Sequence, residues 1–583
     1  MKLSYSPRVL SLALSLSLLG LVSCDNGTPP AESVAIESAP TTASESFYGT
    51  LEPFASEAVY FVVTDRFVNG DTGNDQREQG GAWRTFDRPV PGAPAGESDN
   101  IGYLGGDFKG VVNNLDYIRD MGFSAIWITP IVDNPDAAFS GGKPVSWGSF
   151  WTDQGKTGYH GYWGVNFYKL DEHLPSPGLD FAGFTAAVHD KGMKVVLDIV
   201  GNHGAPAYTM PVAQAEFGKV YGKDGELLAD HGNLPPAQLD HNNPLHRFFN
   251  KQPGIAELSD FNENNPAVLD YLVGAYSQWL EQGADAFRID TIGWMPHSFW
   301  KAFADRIRAK KPGMFMFGED FRWKAEEIAP HTWPQHGGIS VLDFPHKASL
   351  AKVFESGDSD FALLNESLFL EQGPYQNPYD LMTFYDNHDM PRMNASDEGF
   401  IDAHNWLFTA RGIPVIYYGS EVGFMRGKAE HAGNRNYFGQ DRVAEASQHP
   451  IFQNLQRIAK VRAASPALQR GLQVNLELAG DRAAFYRVYQ HAGQHDIALV
   501  LLNKGDEASD FDIRQWLEAG VWQPALGGEP ITVAAGGSLK ASVPAHGVQV
   551  FRLQQPVTRA DLQQRLRELM AVIDRPVTTT AAN

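Results

Sequence analysis

The chain has 583 residues, of which 43% are hydrophobic and 12% aromatic, and it carries a formal net charge of −22. This length is too great for one ordinary domain, and the composition supplies large apolar cores, so we expect a central domain with accessory domains. The negative charge argues against a nucleic-acid partner, because neutralising phosphates requires clustered Lys and Arg. A neutral or cationic ligand fits better.

The first 24 residues resemble a bacterial lipoprotein signal. Lys2 and Arg8 precede an apolar run at 9–22, and L-V-S-C follows at 21–24. Cys24 is then the expected lipidation site, which predicts export and anchoring to a bacterial cell membrane on its periplasmic or cell-surface side. The alternative is an ordinary cleaved secretion signal with an incidental cysteine. Cys24 is the single cysteine, so no internal disulfide is expected.

Residues 25–50 are rich in Pro, Ala, Ser, Thr and Glu, which predicts a disordered linker. From about residue 57 short β-like runs alternate with amphipathic stretches, such as the helices predicted at 180–191 and 266–281. Eight such strands predict an α/β fold, a TIM (β/α)8 barrel. They are 58–63, 124–129, 194–199, 284–289, 314–317, 339–344, 381–385 and 414–418.

The predicted barrel comprises residues 51–203 and 259–466. The interval after the third strand is much longer than one helix requires, so residues 204–258 are predicted to form a small inserted domain. Short alternating strands then predict an antiparallel β-sandwich at 467–555. A terminal helix and tail follow at 556–583. The helix, at 559–573, is expected to pack on the body through an apolar face, with partner binding as the alternative. That face contains Leu562, Leu566, Leu569 and Met570.

Three acids stand at predicted strand ends, where a parallel barrel presents polar side chains at its C-terminal mouth. Arg288 lies two residues before Asp290 on one strand face, so it can keep that carboxylate ionised, as a nucleophile requires. Glu319 follows an apolar run that would raise its pKa and suit a general acid. Asp389, beside His388, would hold sugar hydroxyls. The segments concerned are D-I-V-G-N-H at 198–203, D-A-F-R-I-D at 285–290, F-G-E-D at 317–320 and F-Y-D-N-H-D at 384–389.

These segments resemble the α-amylase family of glycoside hydrolases, glycoside hydrolase family 13, over residues 57–553. Several ordered motifs at family-like spacing are far more specific than one short pattern. The other matching segments are M-G-F-S-A-I-W-I-T-P at 121–130, Y-H-G-Y-W at 159–163, L-S-D-F-N at 258–262 and G-I-P-V-I-Y-Y-G-S-E at 412–421.

The resemblance implies a barrel with an inserted domain B after its third strand and a C-terminal sandwich. It also implies retaining cleavage of α-1,4-glucosidic bonds in starch, maltodextrin or cyclodextrin through a covalent glucosyl-enzyme intermediate. Asp290 would be the nucleophile, Glu319 the acid/base and Asp389 the third acid. Tyr162 would form a platform under the sugar. The other implied substrate contacts are His160, Asp198, His203, Arg288 and His388.

One position departs from the family pattern. Many amylases have Lys and His three and four residues after the nucleophile, whereas this chain has Gly293 and Trp294. Trp294 is therefore a candidate to stack an acceptor sugar and favour transfer over hydrolysis. The alternative is that it only fills space.

The resemblance also implies calcium at two places. Asn202 and Asp260 match a widely shared site, completed by a backbone carbonyl near Trp294. A second set resembles an N-terminal calcium loop of cyclodextrin glucanotransferases, and its hard oxygens suit calcium. The alternative for that set is an Asx-rich turn without an ion. Its members are Asn69, Asp71, Asn74, Asp75 and Asp107, with the carbonyl of Gly105.

We therefore expect an exported, lipid-anchored α-glucan hydrolase with a glucan substrate, no nucleic-acid partner, and membrane contact through the anchor only. A glucanotransferase of the same fold is the nearest alternative. A noncatalytic glucan-binding lipoprotein is less favoured because Asp290, Glu319 and Asp389 are all present. Oligomeric state is left open.

Overall fold

The computed structural model describes residues 45–95, 99–356 and 358–574. The predicted signal segment, Cys24 and the first part of the predicted linker lie outside these ranges. In the part of the chain that is described, no helix combines the length and apolar character needed to cross a membrane.

The central domain is a parallel eight-stranded barrel, as predicted. The strands are β1 Val59–Val62, β2 Ala125–Ile128, β3 Lys194–Val200, β4 Ala286–Asp290, β5 Phe315–Gly318, β6 Ser340–Val341, β7 Met382–Thr383 and β8 Ile413–Tyr417. The sheet order is β6-β5-β4-β3-β2-β1-β8-β7, and a parallel bridge between Leu342 and Met382 joins the two ends. The residues of β1, β2, β4, β5 and β8 are all buried, which fits strands covered on both faces.

Helices surround the barrel, and several of them begin at side chains that cap them. Asp180 accepts a hydrogen bond from Gly183 N at the start of Phe181–Asp190, and Asn265 caps Pro266–Glu281, whose first residue is proline. Both helices agree with the sequence prediction. The other α-helices between β1 and the C-terminal part are Thr64–Phe67, Phe108–Asn113, Leu115–Asp120, His297–Lys310, Ala325–Ile328, Phe344–Phe354, Asn365–Leu368, Asp397–Leu407, Gly439–Ala446, Pro450–Ala463 and Pro466–Arg470.

An inserted domain follows β3, as predicted, and it contains two small antiparallel sheets. In one, His203–Pro206 pairs with Leu258–Asp260, and in the other Lys219–Tyr221 pairs with Leu227–Asp230. The inserted domain has a small apolar cluster of its own, and the segment after β2 contributes to it, which the sequence did not indicate. The cluster contains Phe139, Trp163, Val165, Ala205, Met210 and Phe217.

The C-terminal part is an antiparallel sandwich, which confirms this element of the predicted fold. A six-stranded sheet faces a two-stranded one, Ser509–Ile513 with Leu539–Val543. In spatial order the six strands are Leu472–Ala479, Arg482–His491, Gln494–Asn503, Gly547–Leu553, Gly520–Pro524 and Ile531–Val533.

The two ends of the described chain pack on this sandwich. Phe47 is fully buried and bridges to Gln490 in antiparallel fashion, so the prediction of a disordered linker is wrong for residues 45–50. The polar composition of residues 25–50 as a whole predicted disorder, although the segment contains one aromatic residue, Phe47, that is buried. The helix Ala560–Ile573 contacts the strand Leu472–Ala479 and buries Leu562, Leu566 and Leu569. Its apolar face therefore lies on the body of the protein.

Candidate active site

Three carboxyl groups meet at the C-terminal mouth of the barrel. Asp290 is the last residue of β4, Glu319 directly follows β5, and Asp389 lies in the loop after β7. All three line one cleft of about 560 Å³. The Asp290 and Glu319 side chains are buried, and that of Asp389 is 23% exposed. The barrel therefore brings together the three acids that the sequence singled out.

One guanidinium, that of Arg288, contacts two of these groups, Asp290 and Glu319, and a further carboxylate, Asp198. Arg288 Nη1 lies 2.7 Å from Asp290 Oδ1 and 2.9 Å from Asp198 Oδ1, and its Nη2 lies 2.8 Å from Glu319 Oε2. Its side chain is fully buried. Burying each ion costs several kcal/mol, and the attraction between the buried charges only roughly offsets that cost. The cluster is therefore better explained by the need to position these carboxyl groups than by a gain in folding stability. Arg288 fixes two carboxyl groups relative to each other.

Glu319 is set up to hold a proton. Burial raises its pKa well above the ordinary value of 4.5, against the opposing effect of Arg288, and the negative charges of Asp389 and Asp290 raise it further. A raised pKa keeps this carboxyl group protonated to a higher pH than an exposed glutamate. Such a group can act as a general acid near neutral pH.

The floor of the cleft is aromatic and uncharged. Tyr162 donates a hydrogen bond to Asp198 Oδ2 at 2.8 Å, and its ring stacks on His388 with centroids 5.3 Å apart. His203 Nε2 lies 3.9 Å from Asp290 Oδ2. Burial lowers the pKa values of His160, His203 and His388, so these rings are neutral and can each donate and accept. This surface suits a sugar, which offers an apolar face and hydroxyl groups.

Exposed aromatic side chains lie at the rim of the cleft. Trp294 is 59% exposed and Phe321 is 41% exposed, and both line the cleft close in sequence to Asp290 and Glu319. Trp294 therefore does not serve to fill space. A Cβ atom at Gly293 would lie 2.7 Å from Asp320 Oδ1, so any larger residue at this departure from the family pattern would require the Asp320 carboxylate to move.

The sequence did not indicate a further set of charged residues that line the same cleft. Arg435 donates to Asp389 Oδ1 at 2.7 Å, and Glu430 and Lys156 line the same cleft. All three lie in long loops where no hydrophobic periodicity marks them. The position of Arg435 soon after β8 was the only available signal.

The residues of the first expected calcium site are neighbours. Asn202 directly precedes a strand that pairs with the strand ending at Asp260, and Phe261 N donates to Asn202 O at 2.8 Å. Burial raises the pKa of Asp260 to about 6. The backbone of Trp294 lies in the turn Ile292–Trp294, just after Asp290. In residues 45–95, 99–356 and 358–574, no three His, Cys, Asp or Glu side chains form a metal cluster.

The second expected calcium loop has unsatisfied oxygens. Asn69 donates through Nδ2 to Asp75 Oδ1 at 2.7 Å, and Asn74 donates to Asp107 Oδ2 at 3.2 Å. The Oδ1 atoms of both asparagines are buried and have no hydrogen-bond partner among the described residues. Asp71 Oδ1 accepts from Gly73 N. Two orphan oxygens among carboxylates fit a hard cation, because a buried acceptor is otherwise left unpaired at a cost.

Gly105 lies against this loop and has a φ of +83°. A Cβ atom there would lie 2.2 Å from Asn69 Nδ2, so only glycine allows the close approach.

Comparison with known proteins gives consistent results. A sequence model of a family described as "Alpha amylase, catalytic domain" matches residues 61–456. A cyclomaltodextrin glucanotransferase of Geobacillus stearothermophilus is 30% identical over 511 residues, 84% of this chain and 66% of that protein. An α-amylase of Niallia circulans is 28% identical over 550 residues, 91% of this chain and 95% of that protein.

Among solved structures, a cyclomaltodextrin glucanotransferase with a three-domain ABC distribution (CldA) aligns with a TM-score of 0.69 and 30% identity. The alignment covers 86% of this chain and 99% of that one. The chain spans 66%, 63% and 63% of the length of three of the curated glucanotransferases it matches.

Proposed function

The chain belongs to the α-amylase family of glycoside hydrolases, and we propose that it cleaves α-1,4-glucosidic bonds of starch, maltodextrin or cyclodextrin with retention of configuration. The observation that carries this proposal is the contact of one guanidinium, Arg288, with both Asp290 and Glu319. A shared guanidinium favours the short carboxyl separation of retaining enzymes, about 5–5.5 Å, over the longer separation of inverting enzymes.

In the first step the sugar to be cleaved lies on Tyr162, beneath which His388 is stacked. Glu319 gives its proton to the glucosidic oxygen while an oxygen of Asp290 attacks the anomeric carbon. The carbon–oxygen bond to the leaving glucan breaks, and a covalent glucosyl ester forms on Asp290. Arg288 orients the attacking carboxylate throughout.

In the second step Glu319, now ionised, removes a proton from water or from an acceptor hydroxyl group. That oxygen attacks the anomeric carbon, and Asp290 leaves as a carboxylate. Two inversions give net retention. Asp389 accepts hydrogen bonds from sugar hydroxyls as the ring flattens, and it thereby stabilises the transition state more than the ground state.

A transferase is the second candidate, because the exposed aromatic side chains of Trp294 and Phe321 line the cleft close in sequence to Asp290 and Glu319. The leaving glucan departs, and an acceptor glucan would enter, next to Glu319, which transfers the proton. Trp294 and Phe321 offer flat apolar surfaces to such an acceptor. The similarity to glucanotransferases supports the same possibility.

We expect Trp294→Ala to lower the ratio of transfer to hydrolysis with maltoheptaose by about 3- to 10-fold, because one stacking contact is worth about 0.5–1.5 kcal/mol. Chromatography of the products over time measures this ratio. Phe150→Ala is the control, since Phe150 is 43% exposed but does not line the cleft. An unchanged ratio in Trp294→Ala would remove Trp294 from the acceptor site.

We propose calcium as a structural ligand in the loop that contains Asn69, Asp71, Asn74 and Asp75. Their oxygens, with those of Asp107 and the Gly105 carbonyl, would hold the ion, and Asn202 and Asp260 would hold a second ion. Bound calcium supplies charge that ties loops together. Asp107 is already held in position by the backbone, since its Oδ1 accepts hydrogen bonds from both Gly70 N and Gly110 N.

Removing calcium with a chelator is expected to lower the melting temperature by about 2–5 °C, because a ligand at 100 times its Kd stabilises by about 2.7 kcal/mol per site and the unfolding entropy of so long a chain is large. Differential scanning calorimetry with and without added calcium measures the shift. In Asn74→Ala protein the shift is expected to shrink, since one orphan oxygen is lost. A melting temperature that changes with neither chelator nor added calcium would contradict both proposed sites.

We also propose export and lipid attachment at Cys24. The support is the signal-like sequence at residues 1–24 alone.

The function is tested by a product time course from maltoheptaose and from β-cyclodextrin. New reducing ends without longer products would support hydrolysis. Longer or cyclic products would identify a glucanotransferase. If neither substrate is converted, a noncatalytic glucan-binding role becomes the better account.

A further inference from the structure

Consecutive buried ion pairs connect the wall of the cleft with Asp389. Lys156 Nζ lies 2.8 Å from Asp153 Oδ1 and 3.0 Å from Glu430 Oε1. Arg435 Nη1 lies 3.4 Å from the same Glu430 oxygen, and Arg435 Nη2 lies 2.7 Å from Asp389 Oδ1. All these residues line the cleft that holds Asp290 and Glu319. We call Lys156, Glu430 and Arg435 the charged triad.

The backbone around the triad is tied to the Asp389 loop. Arg435 Nε donates to His388 O at 2.9 Å, and Asn434 donates to the same carbonyl at 2.8 Å. Arg435 N in turn donates to Asp99 Oδ1 at 2.8 Å. The loops after β1, β2, β7 and β8 therefore meet at this point. Arg435 contacts both the side chain of Asp389 and the backbone just before it.

Stability alone does not explain the triad. Each of its side chains is at most 10% exposed, and buried ion pairs often stabilise less than well-packed apolar residues would. The geometry instead gives Arg435 two carboxylate neighbours on opposite sides, Glu430 and Asp389. Burial raises the pKa of Asp389 and Arg435 opposes that effect, which helps keep the acid ionised.

Resting on the proposed function, we propose that Arg435 is a positioning residue for Asp389 and that the buried Lys156–Glu430 ion pair holds Arg435 in place. Asp389 must point at sugar hydroxyls whose positions change as the ring flattens. Without Glu430 the guanidinium has one carboxylate partner fewer and can follow Asp389 into other rotamers. Without the Lys156 charge, Glu430 loses its closest partner in the same way.

The triad is tested with Glu430→Gln, Lys156→Met and Lys156→Arg in the full chain. The first two variants are expected to lose about 10- to 100-fold in kcat on maltoheptaose while KM changes less than about threefold, because an interaction needed mainly in the transition state is weakened. Lys156→Arg keeps the charge and is expected to retain most of the activity. The same losses are expected with α-maltosyl fluoride, since Asp389 does not act on the leaving group.

Glu57→Gln is the control variant. It breaks the Lys194–Glu57 pair, whose atoms are 2.7 Å apart, at the start of β3 and so at the opposite end of that strand from the cleft. Its kcat is expected to equal that of the wild type. Melting curves of every variant give the folded fraction, so a loss of stability is separated from a loss of kcat.

An unchanged kcat in Glu430→Gln and Lys156→Met would overturn the inference, as would a rise in KM at constant kcat, which would mean direct sugar binding. If Glu430→Gln fails to fold, Glu430→Asp is decisive, because it keeps the charge but withdraws it from Arg435; normal kcat there overturns the inference. An inactive wild-type protein would reject the proposed function and this inference together. Normal variants of an active wild type would reject this inference alone.

Discussion

Asp290→Asn protein is expected to cleave maltoheptaose at least about 10⁴-fold more slowly than the wild type, because a neutral amide oxygen cannot form the glycosyl ester. Asparagine keeps the shape of aspartate and an oxygen that can accept from Arg288, whose Nη1 lies 2.7 Å away. The fold should therefore survive. We expect a melting temperature within a few degrees of the wild-type value.

The measurement is kcat/KM for both proteins, purified identically and compared by circular dichroism. Asp305→Asn is a matched control, since Asp305 is an exposed aspartate that forms an ion pair with Lys301 on a barrel helix. This control is expected to be fully active. Activity of Asp290→Asn within tenfold of the wild type would show that another group is the nucleophile.

Glu319→Gln is expected to lower kcat for maltoheptaose by about 10³-fold, within the range that a positioned general acid contributes. The effect should depend on the leaving group. With α-maltosyl fluoride the departing fluoride needs no proton, so formation of the glycosyl ester is expected to be nearly as fast as in the wild type. Stopped-flow measurement of fluoride release gives this first step separately.

The same variant should also change the pH profile. In the wild type the proton on Glu319 is lost as pH rises through its raised pKa, so kcat/KM for maltoheptaose is expected to fall on the basic side. In Glu319→Gln the residual kcat/KM for maltoheptaose should lack this basic limb, because the amide has no proton to lose in this pH range. An equal loss for both substrates would contradict the role of Glu319 as the acid.

The barrel could be predicted because its strands are apolar runs that end in polar residues. All eight strands occur where predicted, although most ends shift by one to three residues. The sixth strand, expected at 339–344, is only Ser340–Val341. Asp343 accepts a hydrogen bond from His346 N and so begins the helix Phe344–Phe354. A helix cap inside an apolar run ended the strand earlier than its hydrophobicity indicated.

The acids could be predicted for the same reason, since Asp290 and Glu319 stand directly at strand ends. The charged triad could not. Lys156 and Glu430 are 274 positions apart in sequence, and each lies in a loop without periodicity. Their pairing depends on how the loops after β2 and β8 fold together. Only the three-dimensional arrangement shows that contact.

The extent of the inserted domain was also underestimated from the sequence. Phe139 and Trp163 lie in the segment after β2, yet they pack with Phe217 after β3. A shared apolar cluster between two separate chain segments leaves no sign in either segment alone. The segment after β2 also supplies Tyr162, so the two segments together shape the cleft.

Retaining cleavage through an ester on Asp290 determines the anomeric configuration of the first product. Proton NMR during the first minutes of maltoheptaose cleavage distinguishes α-anomeric from β-anomeric reducing ends before they interconvert. We expect the α-anomer to form first and the β-anomer to follow by mutarotation. Initial formation of the β-anomer would mean a single inversion by water and would contradict the glycosyl-enzyme mechanism.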